Sequence, residues 1–224
     1  PEPWGAPCPE VPCDGINTIV YKGVPAQSGP IYELRLDDGW KWADLTALSG
    51  APLPMSELSA YVRSDGISTI NYAGWDGHVH DIRLETDWIW TDLTAISGAP
   101  GTGYRPYGYV RSDGINAIVY ATSGMDAGRI YELRLDSGWQ YYELTSVPNA
   151  IRGYRPVGYV RADGIPAVVY VGGSVWHIQE IRLEKDGWHW VDLSYLAGAP
   201  AAGSYPWPYN RSVVARVYLP LIVR

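Results

Sequence analysis

The sequence predicts an all-β fold, a β-propeller of four four-stranded blades with the beginnings of a partial fifth. Three observations carry that prediction. Asp-Gly pairs fall at 14–15, 65–66, 113–114 and 163–164, a spacing of 51, 48 and 50 residues, and a period near 50 belongs to propellers and arrays. Within each period the apolar residues alternate by two, the period of strands rather than helices. The composition of 25 Gly, 18 Pro, 18 Tyr and 11 Trp in 224 residues, with no Phe, is that of short strands joined by many turns.

The first strand of a blade is the segment "YVRS" at 61–64 and 109–112, or "YVRA" at 159–162. Asp-Gly ends it as a two-residue hairpin turn, both residues tolerating positive φ. The second strand, "INAIVY" and its copies, is rich in β-branched residues that favour a pleated surface. A variable loop leads to the third strand, "IYELRL" (31–36 and 130–135), "VHDIRL" (79–84) or "IQEIRL" (178–183). The fourth is "GWKWADLT" or a relative, and a linker reading "SGAP" or "AGAP" closes three of the four units. These units make one domain over 1–224, with repeats at 7–57, 58–105, 106–155 and 156–205.

The ends of the chain break the pattern. Residues 206–212, "PWPYNRS", match 106–112 at Pro206, Tyr209, Arg211 and Ser212, so 206–224 is a partial repeat or a closing strand. At the other end "PCPEVPCDG" aligns with the first strand, but Pro7, Pro9 and Pro12 lack ladder donors. An apolar strand made by Val213, Val214, Val217, Tyr218, Leu219, Leu221 and Ile222 needs an edge to pair with. It either closes the chain's own ring or adds to a neighbouring molecule.

Charge and composition exclude several classes. The formal net charge is −7, and the 14 Arg and 3 Lys form no basic block, so nucleic acid is not an expected partner. The longest apolar run, "VYLPLIV", is too short to insert across a bilayer. The chain opens at Pro1 without Met, as a processed product would. Cys8 and Cys13 can close a small disulfide loop in an oxidising compartment, with free thiols or an intermolecular bridge as the alternatives. An extracellular location, secreted or at the cell surface, is the expectation.

Chemistry-bearing residues recur with the repeat. The third-strand acids Glu33, Asp81, Glu132 and Glu180 stand two residues before Arg35, Arg83, Arg134 and Arg182, which puts acid and Arg on one face of a strand. They form either a ladder of ion pairs between blades or acceptors for sugar hydroxyls. The fourth-strand aromatics Trp40, Trp88, Trp139 and Trp188 also share a face, for packing between blades or for stacking on a sugar. Trp75 and Trp176 lie in the variable loop without counterparts and are further stacking candidates. His78 and His80 alternate on a strand, but their spacing alone defines no metal site. Nucleophile elbow, phosphate loop and metal-ligand cluster are all missing from the sequence. Carboxylates repeated in every unit look like a binding or structural element rather than a single catalytic pair. No enzyme activity, cofactor or metal is expected.

At "GRIYELRLDSGW" and its sister segments the chain resembles the fucose-binding propeller lectins of the fungal Aleuria type. The resemblance covers all four units through short motifs, an Ile-x-Glu strand followed by Gly-Trp. It implies a propeller, and it implies Glu33, Asp81, Glu132 and Glu180 as sugar-contacting acids. The family's sugar-binding Arg falls near Thr18, Thr69, Ala117 and Ala167, none of which is Arg. The expected function is that of a lectin-like module with glycans or cell-surface polysaccharide as partners. The rival is a structural subunit of an extracellular filament or surface layer that assembles by exchanging its C-terminal strand.

Overall fold

The computed structural model describes residues 16–25 and 28–209. The Asp-Gly hairpins organise each blade, though not as two-residue turns. In the second repeat Gly66 N donates to Arg63 O (2.9 Å) and Arg63 N to Ile67 O (2.9 Å). Only the glycine takes positive φ (83°). This is a type I turn followed by a left-handed bulge residue, a three-residue connection. The Asp contributes by accepting from the backbone, Ile67 N to Asp65 Oδ1 at 3.3 Å. The same geometry recurs at Gly114 and Gly164.

Four antiparallel sheets result. The first contains β1 (Asn17–Lys22), β2 (Ile31–Leu36) and β3 (Trp40–Asp44). The second contains β4 (Ser59–Val62), β5 (Ser68–Ala73), β6 (Val79–Leu84) and β7 (Trp88–Asp92). The third contains β8 (Tyr107–Val110), β9 (Asn116–Ala121), β10 (Ile130–Leu135) and β11 (Trp139–Glu143). The fourth contains β12 (Gly153–Val160), β13 (Pro166–Gly172), β14 (His177–Glu184) and β15 (Gly187–Asp192). Each is a meander of neighbouring strands, the arrangement of a propeller blade. The first blade has three strands among the described residues. Its expected first strand at 7–15, Cys8 and Cys13, and the closure strand from Val213 to Ile222 lie outside the described residues.

Short helical turns, which the alternation by two does not announce, end the fourth strands. "DLTALSG" forms a one-turn helix, α1 (Leu45–Ser49), whose N-cap Asp44 accepts from Ala47 N and whose C-cap Gly50 is left-handed. Helices α2 (Leu93–Ser97) and α3 (Leu193–Ala197) repeat it with Asp92 and Asp192 as caps. In the third blade Glu143 stands at the cap position, makes no capping bond, and only a 3-10 turn forms. A capping Asp followed five residues later by Ser-Gly or Ala-Gly was the available signal. Among the described residues no helix is long and apolar enough to cross a membrane.

The core lies between blades. Ile31, Leu45 and Ala51 of blade 1 pack with Ile70, Tyr72, Ile82 and Trp88 of blade 2. Val79, Leu93 and Ala99 of blade 2 meet Ile118, Tyr120, Leu133 and Trp139 of blade 3. Ile130 and Leu144 of blade 3 meet Val168, Tyr170, Ile181 and Trp188 of blade 4. At every junction the second-strand Tyr reaches back to a linker carbonyl of the preceding blade. Tyr72, Tyr120 and Tyr170 donate to Pro52 O, Pro100 O and Ile151 O, each at 2.9 Å. That satisfied hydroxyl is what lets a fully buried Tyr serve where Phe is absent.

Candidate functional site

Strand register sorts each blade into two faces. In blade 1 Ile19, Leu34 and Trp42 are register partners on one face, while Thr18, Arg35 and Lys41 are partners on the other. The face with the tryptophans looks toward the preceding blade. The face with the acid and Arg looks toward the following one. Every junction therefore brings an acid and a guanidinium from one blade against a Trp from the next.

The acids have different surroundings. Glu132 is fully buried, accepting from Tyr109 Oη at 2.8 Å and from Arg111 Nη1 at 3.2 Å. Glu180 repeats this with Tyr159 (2.6 Å) and Arg161 (2.9 Å). These partners come from the first strand of the same blade, so the ion pairs run within blades. The Arg two residues on is farther away, 3.8 Å from Glu132 and 3.6 Å from Glu180. Sequence reasoning missed Tyr109, Arg111, Tyr159 and Arg161. Their signal was the repeated Tyr-x-Arg of "YVRSDG", two side chains on one strand face.

In blade 2 the acid is Asp81, one methylene shorter. It is bound by Thr69 Oγ1, by Asn71 Nδ2 (2.9 Å) and by Arg83 Nη1 (3.4 Å). The Tyr61 hydroxyl, the counterpart of Tyr109, is buried without a hydrogen-bond partner. Burial raises the pKa of Asp81, against the pull of Thr69 and Arg83. Burial also raises that of Glu132, offset in part by Arg111 and Tyr109. Of the positions where the resemblance places an Arg, Ala117 and Ala167 are fully buried. Beside Ala117 in register stand Tyr109 and Arg134. The guanidinium on the acid comes from the neighbouring strand.

Between blades 1 and 2 the acid–Arg–Trp arrangement opens into a cleft of about 360 Å³. Blade 1 lends Glu33, Arg35 and Leu48, and blade 2 lends Leu84, Asp87 and Trp88. At the junction of blades 3 and 4 the corresponding space holds Arg111, whose Cζ lies 5.7 Å from the Trp188 ring centre. Trp139 packs into the junction core of blades 2 and 3. Trp40 faces no preceding blade among the described residues and is 58% exposed. Trp75 and Trp176 are exposed, but they precede the third strand. The cleft includes the turn that follows that strand, and six residues of strand separate the two by about 20 Å. The loop tryptophans cannot share the cleft.

The two histidines of blade 2 belong to a hydrogen-bonded network. Trp90 Nε1 donates to His80 Nδ1 (3.2 Å), so the proton sits on His80 Nε2, 3.0 Å from Asp76 Oδ1. His78 Nδ1 is 2.7 Å from Asp92 Oδ2, the carboxylate that caps α2. Asp76, His80 and Asp92 bring three ligand atoms together. Yet both ring nitrogens of His80 are already engaged, and metal ligation through Nε2 would need Trp90 to move. Partial burial raises the pKa of Asp76, but the His78 backbone N–H and His80 outweigh it and hold the carboxyl below its usual value.

The chain matches no protein-family model and no curated protein. Solved structures do match. Aleuria aurantia lectin, in complex with Fucα1-6GlcNAc, superposes with a TM-score of 0.52 at 12% identity, over 85% of this chain and 59% of the lectin. A fucose lectin from Kordia zhangzhouensis in complex with methyl-fucoside gives 0.39 at 16% identity, over 60% of this chain and 96% of that one. An α-L-arabinofuranosidase from Clostridium thermocellum gives 0.48 at 14% identity, over 81% and 70%. The first likeness shows a shared β-propeller fold of the Aleuria-lectin kind. The chain spans under two thirds of that lectin's length.

Proposed function

We propose that the protein is a carbohydrate-binding propeller, a lectin-like module that is not an enzyme and works outside the cell. The observation that carries this reading is the cleft between blades 1 and 2. Glu33 and Arg35 line one wall, and Trp88 with Leu84 lines the other. A pyranose presents the same two characters, a ring of hydroxyls and an apolar C–H face. A carboxylate accepts from hydroxyls, a guanidinium donates to them in a fixed fork, and an indole covers the C–H face. The volume lies at the small end of ligand pockets, which suits a monosaccharide terminus. Aleuria aurantia lectin, which shares the fold and was solved with a fucosylated disaccharide, supports the reading by analogy of fold. A glycan array probed with the full chain tests it. Binding is expected to a limited set of sugar termini and to fall at least tenfold in Glu33→Gln. An array with no hits at high protein concentration would overturn the reading.

A further inference from the structure

A second cleft lies at the other end of the blades. Within a meander the first and third strands both pair antiparallel with the second and so run parallel to each other. The start of a first strand is therefore at the opposite end from the turn after a third strand. Glu57, Arg105 and Arg155 stand at or near the starts of the first strands of blades 2, 3 and 4. With Tyr205 and Trp207 they line a cleft of about 310 Å³.

Both guanidiniums reach this cleft with their donors uncommitted. Arg155 makes no ion pair and no side-chain hydrogen bond to any described residue, and its Cζ lies 3.6 Å from the Tyr205 ring centre. Arg105 Cζ lies 5.5 Å from the Trp207 ring centre and 5.8 Å from that of Tyr107. Its carboxylate neighbour, Glu57, is 3.6 Å away, beyond hydrogen-bond length. A guanidinium seated on a ring uses its flat face, which leaves the N–H fork in its own plane for an acceptor. Arg111 and Arg161, by contrast, spend their donors on Glu132 and Glu180.

The backbone fixes this arrangement. The pairing of β12 shifts register between Tyr154 and Val157, and Arg155 within that bulge has a left-handed φ of 51°. A bulge re-aims a side chain, and this conformation is uncommon for any residue with a Cβ. On the facing wall, Pro206 and Pro208 favour extended backbone at Tyr205 and Trp207. Trp207 meets Tyr107 edge-on, with ring centres 6.0 Å apart at 89°, and keeps much of its surface exposed. Among the lining residues two guanidiniums stand against one carboxylate, a positive spot in a chain of net charge −7.

We propose that this cleft is a second binding site, for a monocarboxylate carried on a ring. The carboxylate lies between Arg155 and Arg105, and the ring covers Trp207. An Arg fork binds a carboxylate through two parallel hydrogen bonds, and one negative charge balances the cleft. Inorganic sulfate would exceed that charge and has no apolar part for the indole. The volume is at the small end of ligand pockets and suits a single ring. A uronic acid sugar and a non-sugar ring acid share this chemistry. The inference goes beyond the carbohydrate reading, because this cleft lies away from Glu33 and Trp88 and is selected by charge.

Calorimetric titration of the full chain with glucuronate and with benzoate tests it. At least one should bind saturably, and the better of the two identifies the source of the carboxylate. Their uncharged counterparts, glucose and benzamide, should bind at least tenfold more weakly. Arg155→Gln and Trp207→Ala should each weaken the better acid at least fivefold, with circular dichroism matching wild type. Arg155→Lys should recover part of the loss. Glu57→Gln should tighten binding, because it removes the acid that competes for Arg105, and a folding defect would not produce that gain. Arg152→Gln, which removes an exposed charge outside the cleft, should change nothing. Failure of both acids to bind would overturn the inference. So would sulfate binding as tightly as the better acid, acid binding that survives Arg155→Gln, or weaker binding in Glu57→Gln.

Discussion

Blades 1 and 3 are built from nearly the same strands, "IYELRL" and an "IN" strand that ends in Tyr, yet they live in different surroundings. In blade 3 Ile118 and Tyr120 are fully buried, and the acid is neutralised by a Tyr and an Arg from the first strand. In blade 1 Ile19 and Tyr21 face outward. The repeat therefore specifies surfaces, and the neighbour decides whether they become core. Clefts follow the same logic, since they occur where two such surfaces meet without being filled.

Three pairs of substitutions sharpen the comparison. The largest contrast is at the second-strand Tyr. Tyr120→Ala should lose about 3–5 kcal/mol, as buried aromatic truncations do, whereas Tyr21→Ala in the isolated chain should lose under about 1 kcal/mol; urea denaturation of both measures it. Next is the buried ion pair. Arg111→Ala strands Glu132 and should cost about 3–5 kcal/mol. Arg161→Ala, with its guanidinium 30% exposed, should cost clearly less in the same assay. The third is helix capping. Asp92→Ala should cost about 1 kcal/mol. Glu143→Ala loses no cap and gives up only its part-exposed bonds to Arg129, Tyr131 and Thr145. In the same assay its loss should be smaller and sensitive to salt.

Acidity gives the smallest and most gradual effect. Asp76 and Asp192 have lowered pKa values. For Asp192, burial acts upward and is outweighed by the Tyr195 backbone N–H and by His177. Their contribution is present above the unfolded carboxylate range and is lost as pH falls through that range to the folded values. Asp81 and Glu132 have raised values and act in the opposite sense. Their ionisation costs stability as pH rises from the unfolded range through the folded values. A melting-temperature profile should thus fall less steeply on the acid side in Asp192→Asn than in wild type, from a lower plateau at neutral pH.

Much of this was legible in the residues. The Asp-Gly period gave the number of blades, and alternation within "IYELRL" put acid and Arg on one face, but only the register of the third and fourth strands puts the tryptophans on the other. The first-strand partners of the acids were harder to see, because pairing across two strands requires knowing the register. The short helices escaped a search for periodicity because a single turn has none; only their caps announce them. The substitution of Asp81 for Glu was visible, but its consequence was not. Thr69 and Asn71 stand where blade 3 has Ala117 and Val119, and they bring polar groups to the shorter side chain. The cleft itself depends on how blades meet, which no single repeat encodes.

Where a sugar binds, at the junction of blades 1 and 2 or at the variable loops, is settled by one measurement. Calorimetric titration of the best glycan from the array into wild type, Trp88→Ala, Trp75→Ala and Trp176→Ala separates the junction from the loops. Saturable heat in wild type and both loop variants, with at least a tenfold weaker affinity in Trp88→Ala, is the predicted result. Loss of binding in Trp75→Ala or Trp176→Ala with Trp88→Ala unaffected would contradict it and move the site to the opposite end of the blades.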